Sequence, residues 1–221
     1  VYFTYREAKL NYNQFTTPRS IEKAKAYIRE YTDAFQAVEK NFGVEREIIT
    51  AIILVETQLG KVVGKKPILN TFSTLAALAD PGIRDTLWKE ISQIKKLDQK
   101  KFEKWSARKS KWAYRELKAY LKYSAKEKIP PSEVNGSFAG AMGIAQFLPS
   151  NILAYAKDGN NDGRIDLFNH SDAIASIAGY LKNYGWNAGI DDKKAYKIVY
   201  RYNRSPYYVK TVLKIAELLK G

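Results

Sequence analysis

Glu56 is the side chain whose surroundings best suit acid–base chemistry in this 221-residue chain. It lies near the end of "EREIITAIILVETQLG", residues 45–60, a stretch that is otherwise apolar enough for burial. Gly60 predicts that the helix stops within a turn of the carboxyl, near the negative end of its dipole. Burial and that dipole would both disfavour a charged glutamate, which suits a general acid that must carry a proton. A solvated helix end, with Glu56 paired to Lys61 or Lys65, satisfies the same spacing.

Two further stretches carry possible chemistry. "GSFAGAMGIAQFLPS" combines glycines and alanines with Ser137 and Gln146, so a backbone there can approach a ligand closely. Amides and hydroxyls near aromatic faces recognise sugars in this way, and 16 Tyr, 9 Phe and 4 Trp supply faces. Small residues also serve tight helix crossings, and spacing alone favours that reading. "DGNNDGRIDLFNHSD" starts like an EF-hand loop, with Asp158, Asn160 and Asp162 at positions one, three and five. Gly163 follows at six, Arg164 offers its carbonyl at seven, and position twelve holds Asn169 in place of the usual glutamate. Oxygen donors at these spacings select calcium, although an ion-free turn rich in Asx residues has the same composition.

Composition narrows the alternatives. Without cysteine there is no disulfide, thiolate metal site or cysteine nucleophile. One histidine, His170, rules out a multi-histidine zinc site and leaves a Ser-His-Asp triad only if that residue serves it. No apolar run is long enough to span a membrane. The opening "VYFTYREAKL" lacks the pattern of a signal peptide, so an exported protein would have lost its leader already. The formal charge is +14. Residues 89–128 hold fourteen Lys/Arg against five Asp/Glu, a lobe that attracts polyanions or is simply a solvated helical surface.

The elements that must position these residues have a helical period. Helices are expected at 20–42, over the opening stretch 45–60, and at 71–79, 84–96, 99–106, 110–126, 171–184, 193–202 and 206–219. A turn with a short helix over the glycine-rich stretch should end at Pro149, where Ser150 caps the helix "NILAYAK". No strand is expected. The fold class is all-α, divided into 1–80 (N-terminal helices and the Glu56 helix), a basic helical lobe at 81–132, and 133–221, which carries the EF-hand-like loop 158–172.

Four motifs, in order, carry a family resemblance over most of residues 10–210. "GVEREIITAIILVETQLGKVVGKKPILNTFSTLAAL", "NGSFAGAMGIAQFLPS", "DGNNDGRIDLFNHSDAIASIAGYLKNYGW" and "YRYNRSPYYV" resemble the membrane-bound lytic transglycosylase B family. The resemblance implies a lysozyme-like helical core. It also implies cleavage of peptidoglycan between N-acetylmuramic acid and N-acetylglucosamine without water, leaving a 1,6-anhydro-muramic end. Glu56 would be the catalytic acid and base. Ser137 would contact the reacting sugar region and Gln146 would hydrogen-bond the saccharide, with Tyr180, Tyr202, Asn203 and Tyr12 completing the cleft. The loop matches the family's longer calcium site, with Asp158, Asn160, Asp162, the Arg164 carbonyl and Asp172 as ligands of a structural Ca2+.

The partner implied is the peptidoglycan glycan strand, with no nucleic acid and no organic cofactor. The place implied is the bacterial periplasm or cell envelope, for a monomer whose missing leader would offer outer-membrane attachment. Two departures stand out: the family's β-rich insertion between "YGW" and "RYN" is absent here, and only Arg84 follows the "STLAAL" helix, where the family tends to carry two arginines. A hydrolytic muramidase and a non-catalytic basic polymer-binding module are the rival readings, and a calcium-regulated switch is a third.

Overall fold

The computed structural model describes residues 11–94 and 98–221. They form ten α-helices, one short 3-10 turn and one pair of two-residue strands. The all-α expectation holds. By their contacts they divide into two compact units: 64–141 with 148–153, and 11–63 with 142–147 and 154–221.

In the second unit, a 3-10 turn at Tyr12–Phe15 leads to α1 (Pro18–Glu30) and α2 (Thr32–Phe42), followed by α3 (Arg46–Thr57). The single helix expected at 20–42 is two. The chain breaks at Tyr31 (φ −108°, ψ 33°), where the Thr32 hydroxyl donates to the Arg29 carbonyl at 2.8 Å. Such back-bonding competes with the helical ladder. Spaced i and i+4 at the end of α1, two tyrosines reach one ring: Tyr27 Oη lies 2.8 Å from His170 Nδ1, and Tyr31 stacks on the same imidazole. The start moves too, because Thr17 is the cap, accepting from the Ser20 N–H, with Pro18 in the first turn.

α3 is central, with eight of its twelve residues buried. Ile49, Ile52 and Ile53 have no exposed surface, each contributing about 1.5–3 kcal/mol of burial. The third region of this unit supplies α8 (His170–Asn183), α9 (Asp192–Tyr202) and α10 (Pro206–Lys220). α10 packs on α3 and α9, and α2 on α8. α8 is buried continuously from Asp172 to Leu181, which its alanines and Gly179 allow.

The first unit is built on α4 (Ile68–Ala77), α5 (Pro81–Ile94) and α6 (Gln99–Glu127). The expected pair of helices at 99–106 and 110–126 is one helix of 29 residues. Residues 107–109 contain no glycine or proline, so nothing stops propagation. Asp98 caps its start, and Lys128 closes it in the left-handed region ahead of Pro130 and Pro131. The end of the expected 84–96 helix lies outside the described residues.

Contrary to expectation there are strands. β1 (Lys66–Pro67) pairs antiparallel with β2 (Asn135–Gly136). The approach is close enough that a Cβ on Gly64 would sit 2.2 Å from the Gly136 carbonyl. α7 (Pro149–Tyr155) opens at Pro149, which was expected to end the preceding element. A proline is favourable in a first turn because its missing N–H is not needed there.

Glu116 ties this unit together. Buried in the middle of α6, it accepts from the Ser150 N–H and the Ser150 hydroxyl, both at 2.9 Å. Hydrogen bonds to a charged group contribute about 1.5–3 kcal/mol each. Glu116→Ala should therefore lower unfolding stability by roughly 2–4 kcal/mol, measured by urea denaturation, while Lys214→Ala at an exposed ion pair should change it little.

Candidate active site around Glu56

α3 ends in three consecutive left-handed residues, Gln58 (φ 51°), Leu59 (φ 62°) and Gly60 (φ 83°). The first two are strained for side-chain-bearing residues. The fully buried Thr57 holds them: its hydroxyl lies 3.2 Å from the Ile53 and Ile144 carbonyls and accepts from the Gly60 N–H at 3.0 Å. Gly60 is required here, since a Cβ would come within 2.7 Å of the His170 ring. The turn fixes Glu56, half-buried, in the last turn of α3.

Glu56 faces phenols. Burial first, then the Glu56 charge, holds the Tyr202 hydroxyl far above its ordinary range. Tyr208 is shifted the same way, by burial and then by Glu56, with Tyr202 and Tyr12 adding to the effect. The Tyr208 hydroxyl has no well-aligned partner, so its contact with the carboxyl is close but imperfect in geometry. Both phenols thus stay protonated beside the acid. Tyr202 directs its proton to the Ala145 carbonyl, which places α9 against the 142–147 segment that also carries Gln146.

Of the residues named from sequence, Glu56, Tyr12 and Tyr202 form this cluster. Tyr180 is almost wholly buried behind it, its ring 5.0 Å from Tyr202 and 5.7 Å from Phe147. Asn203 follows α9 directly, half-buried, with its backbone carbonyl accepting from Ser205 at 2.8 Å. Gln146, itself left-handed at φ 49°, spends its amide N–H groups on the Gly143 carbonyl (2.8 Å) and the Val63 carbonyl (3.3 Å). Its Oε1 remains as an acceptor.

Ser137 belongs to the other unit. Its hydroxyl accepts from the Ala141 N–H at 3.0 Å, closing the "GSFAGA" turn. Gly140 lies so near Phe72 that a Cβ would meet the ring at 2.2 Å. The small residues therefore serve close backbone turns, and no helix forms over 137–148. Arg84 is a structural residue, donating to the Leu78 and Ala79 carbonyls at 3.0 and 2.9 Å.

Tyr208 was missed in the sequence. The signal for it is "SPYY": Ser205 caps α10 by accepting from the Tyr208 N–H, with Pro206 first in the helix. That start puts Tyr208 at the third helical position, facing inward.

The loop after α7 is organised around Asp158. Its carboxyl accepts from the N–H groups of Gly163 (2.8 Å) and Asp162 (3.2 Å), and Asn160 Oδ1 accepts from Asp162 at 3.1 Å. Asp162 is held below the usual carboxylate range, first by the Asn160 side chain and then by the Arg164 N–H. Buried Asp172 anchors both sides of the loop, accepting from Gly159 (2.8 Å) and Asp166 (2.7 Å). Burial, with the Asp158 charge adding, pushes its carboxyl up against those hydrogen bonds. Among the described residues, no group of three or more His, Cys, Asp or Glu converges on one point. Any ion here must draw on Asn160 and a backbone carbonyl as well as carboxylates.

Comparison with known proteins gives this geometry a context. The chain is 34% identical over 176 residues to the membrane-bound lytic murein transglycosylase B of Escherichia coli K12; the match covers 80% of this chain but only 41% of that protein's length. The E. coli lytic transglycosylase Slt35, solved in complex with calcium, superposes with a TM-score of 0.77 at 24% identity, covering 95% of this chain and 77% of Slt35. SltB3 of Pseudomonas aeruginosa, solved with NAG-anhNAM-pentapeptide, superposes at 0.75 and 21% identity, covering 95% and 66%. These likenesses establish the lysozyme-like helical fold of the lytic transglycosylases. The transglycosylase SLT domain matches residues 4–192, and on that match the chain belongs to the SLT transglycosylase family.

Proposed function

We propose that this chain is a peptidoglycan lytic transglycosylase that cleaves the β-1,4 bond between N-acetylmuramic acid and N-acetylglucosamine. Glu56 acts first as acid and then as base. The observation that carries the reading is a half-buried glutamate on a rigid helix end, surrounded by protonated phenols. A two-carboxylate hydrolase needs a second acid as nucleophile or water-activating base. Here the substrate supplies the nucleophile.

Glu56 donates its proton to the glycosidic oxygen as the bond to C1 breaks, releasing the N-acetylglucosamine side. The glutamate then takes the proton of the muramic C6 hydroxyl, whose oxygen closes on C1. No water is consumed and the acid is regenerated. Holding that hydroxyl beside C1 makes the second step intramolecular, an advantage of up to about 7–11 kcal/mol in favourable cases. Tyr202 and Tyr208 keep Glu56 in place, Tyr12 borders it, and the free Oε1 of Gln146 accepts from a sugar hydroxyl or amide. Tyr180 supports Tyr202 from behind. Asn203, which follows α9 directly, adds a further substrate contact. The anhNAM ligand of SltB3 has the ring that this closure would form. The substrate would place the protein in the bacterial cell envelope, and among the described residues no helix is long and apolar enough to cross a membrane.

Calcium belongs to the same reading. Asp158, Asn160, Asp162 and the Arg164 carbonyl are hard oxygen donors, and the chain turns sharply at Gly163 (φ 85°), so the loop fits that ion. Asp172, already gripping both ends of the loop, would complete the set. The ion would stiffen the loop, and none of the chemistry at Glu56 passes through it.

Digestion of purified sacculi with mass-spectrometric analysis tests the reaction. Muropeptides lighter by one water than their hydrolytic counterparts are expected, and Glu56→Gln should reduce their release by at least about 100-fold. Products with ordinary reducing ends would assign a hydrolytic muramidase instead, and undiminished clearing by the Gln variant would remove Glu56 from the chemistry. For the loop, calcium at about 100 times its dissociation constant should add roughly 2.7 kcal/mol of stability. Chelation should lower the thermal midpoint of the parent but not of Asp158→Ala/Asp162→Ala, with turnover below the midpoint unchanged. Turnover that tracks calcium would make the loop a switch.

A further inference from the structure

α6 carries a file of cations that the proposed reaction does not use. Lys104, Arg108, Lys111, Arg115, Lys118 and Lys122 recur at alternating intervals of four and three residues, and all six are exposed. At about 100° per residue this spacing keeps them on one side of the helix, roughly opposite buried Phe102, Ala113 and Tyr120. At about 1.5 Å per residue the file is about 27 Å long.

Neutralising acids are not on that side. Glu116 and Glu127 are buried, and Glu103 lies toward the border of the file. Lys101 and Lys126, at either end, have loose partners in Asp98 and Glu127. Among the described residues none of the six central cations is ion-paired, and Lys118 lies 4.8 Å from the centre of the Tyr114 ring. Two large apolar side chains flank the file on one border, seven residues apart: Tyr114 at 56% exposure and Leu121 at 42%.

We propose that this face of α6 adsorbs lengthwise to an anionic lipid bilayer. Three features favour a lipid surface over a polymer. The file lies along one exposed side of a single 29-residue helix, so a flat surface can meet it lengthwise. Four of the six cations are lysines, compact charges on flexible stems that answer a diffuse negative field, whereas bidentate recognition of single phosphates favours arginine. Tyr114 and Leu121 sit where an interfacial aromatic and an aliphatic side chain would enter the headgroup region. Files of four to eight cations suffice for such attraction. The contact lies along the side of the helix, because its apolar side is already committed to the protein interior. The inference is independent of the reaction assigned to Glu56.

Co-sedimentation of the full chain with vesicles of pure phosphatidylcholine, or of phosphatidylcholine with phosphatidylglycerol, tests it. The expected result is at least tenfold stronger partitioning onto the anionic vesicles, lost near 1 M salt, where the screening length falls to about 3 Å. Lys104→Gln/Arg108→Gln/Lys111→Gln/Arg115→Gln should reduce partitioning at least tenfold while leaving the unfolding midpoint and muropeptide release unchanged. The charge-keeping Lys104→Arg/Lys111→Arg should bind as the parent does. Tyr114→Ser/Leu121→Ser should weaken binding with the salt dependence retained. Equal binding to neutral vesicles, or undiminished binding by the four-glutamine variant, would overturn the proposal. So would tighter capture by heparin than by anionic vesicles at equal charge, which would assign the face to a polymer.

Discussion

The hydroxyl of Thr57 is the interaction on which the candidate site depends. Fully buried, it accepts from the Gly60 N–H and reaches the carbonyls of Ile53 and Ile144. These contacts hold a left-handed turn that Gln58 and Leu59 would not adopt unaided. They also join the end of α3 to the 142–147 segment, from which Gln146 and the Ala145 carbonyl emerge. Through Ala145 the constraint reaches Tyr202, and through Tyr202 it reaches α9. This chain of contacts sets the position of the Glu56 helix end, and the proposed general acid role needs such placement because proton transfer requires the acid within hydrogen-bond reach.

The electrostatics follow from the same crowding. Tyr202 and Tyr208 face Glu56, and burial keeps their protons on.

Much of this was legible in the sequence, for identifiable reasons. Glu56 stood out because a nearly featureless apolar helix makes one carboxyl conspicuous, and Gly60 marked the turn. α9 and α10 were legible from the helical period, which placed them at 193–202 and 206–219. What was not legible depends on contacts distant in the chain. Tyr208 reads as an ordinary helical tyrosine until α10 is laid on α3. The break at Tyr31 arises from a local hydroxyl competing with the ladder, which period cannot reveal. The β1–β2 pair joins residues about seventy positions apart, and two-residue strands leave no alternation to read. The glycines around Ser137 suggested a helix crossing, whereas they serve backbone turns pressed against Phe72 and Ala141.

The division of the chain has a practical side. Within the described residues the backbone passes from one compact unit to the other four times, at 63/64, 141/142, 147/148 and 153/154. Neither unit is a continuous stretch of polypeptide, so trimming from an end cannot isolate one of them. A minimal version of the glutamate-bearing unit would have to be spliced, with new linkers bridging 63 to 142 and 147 to 154. Ribosomal synthesis meets the same constraint: the emerging α3 must wait for α10, about 150 residues further along the chain, before the side that packs on it is covered.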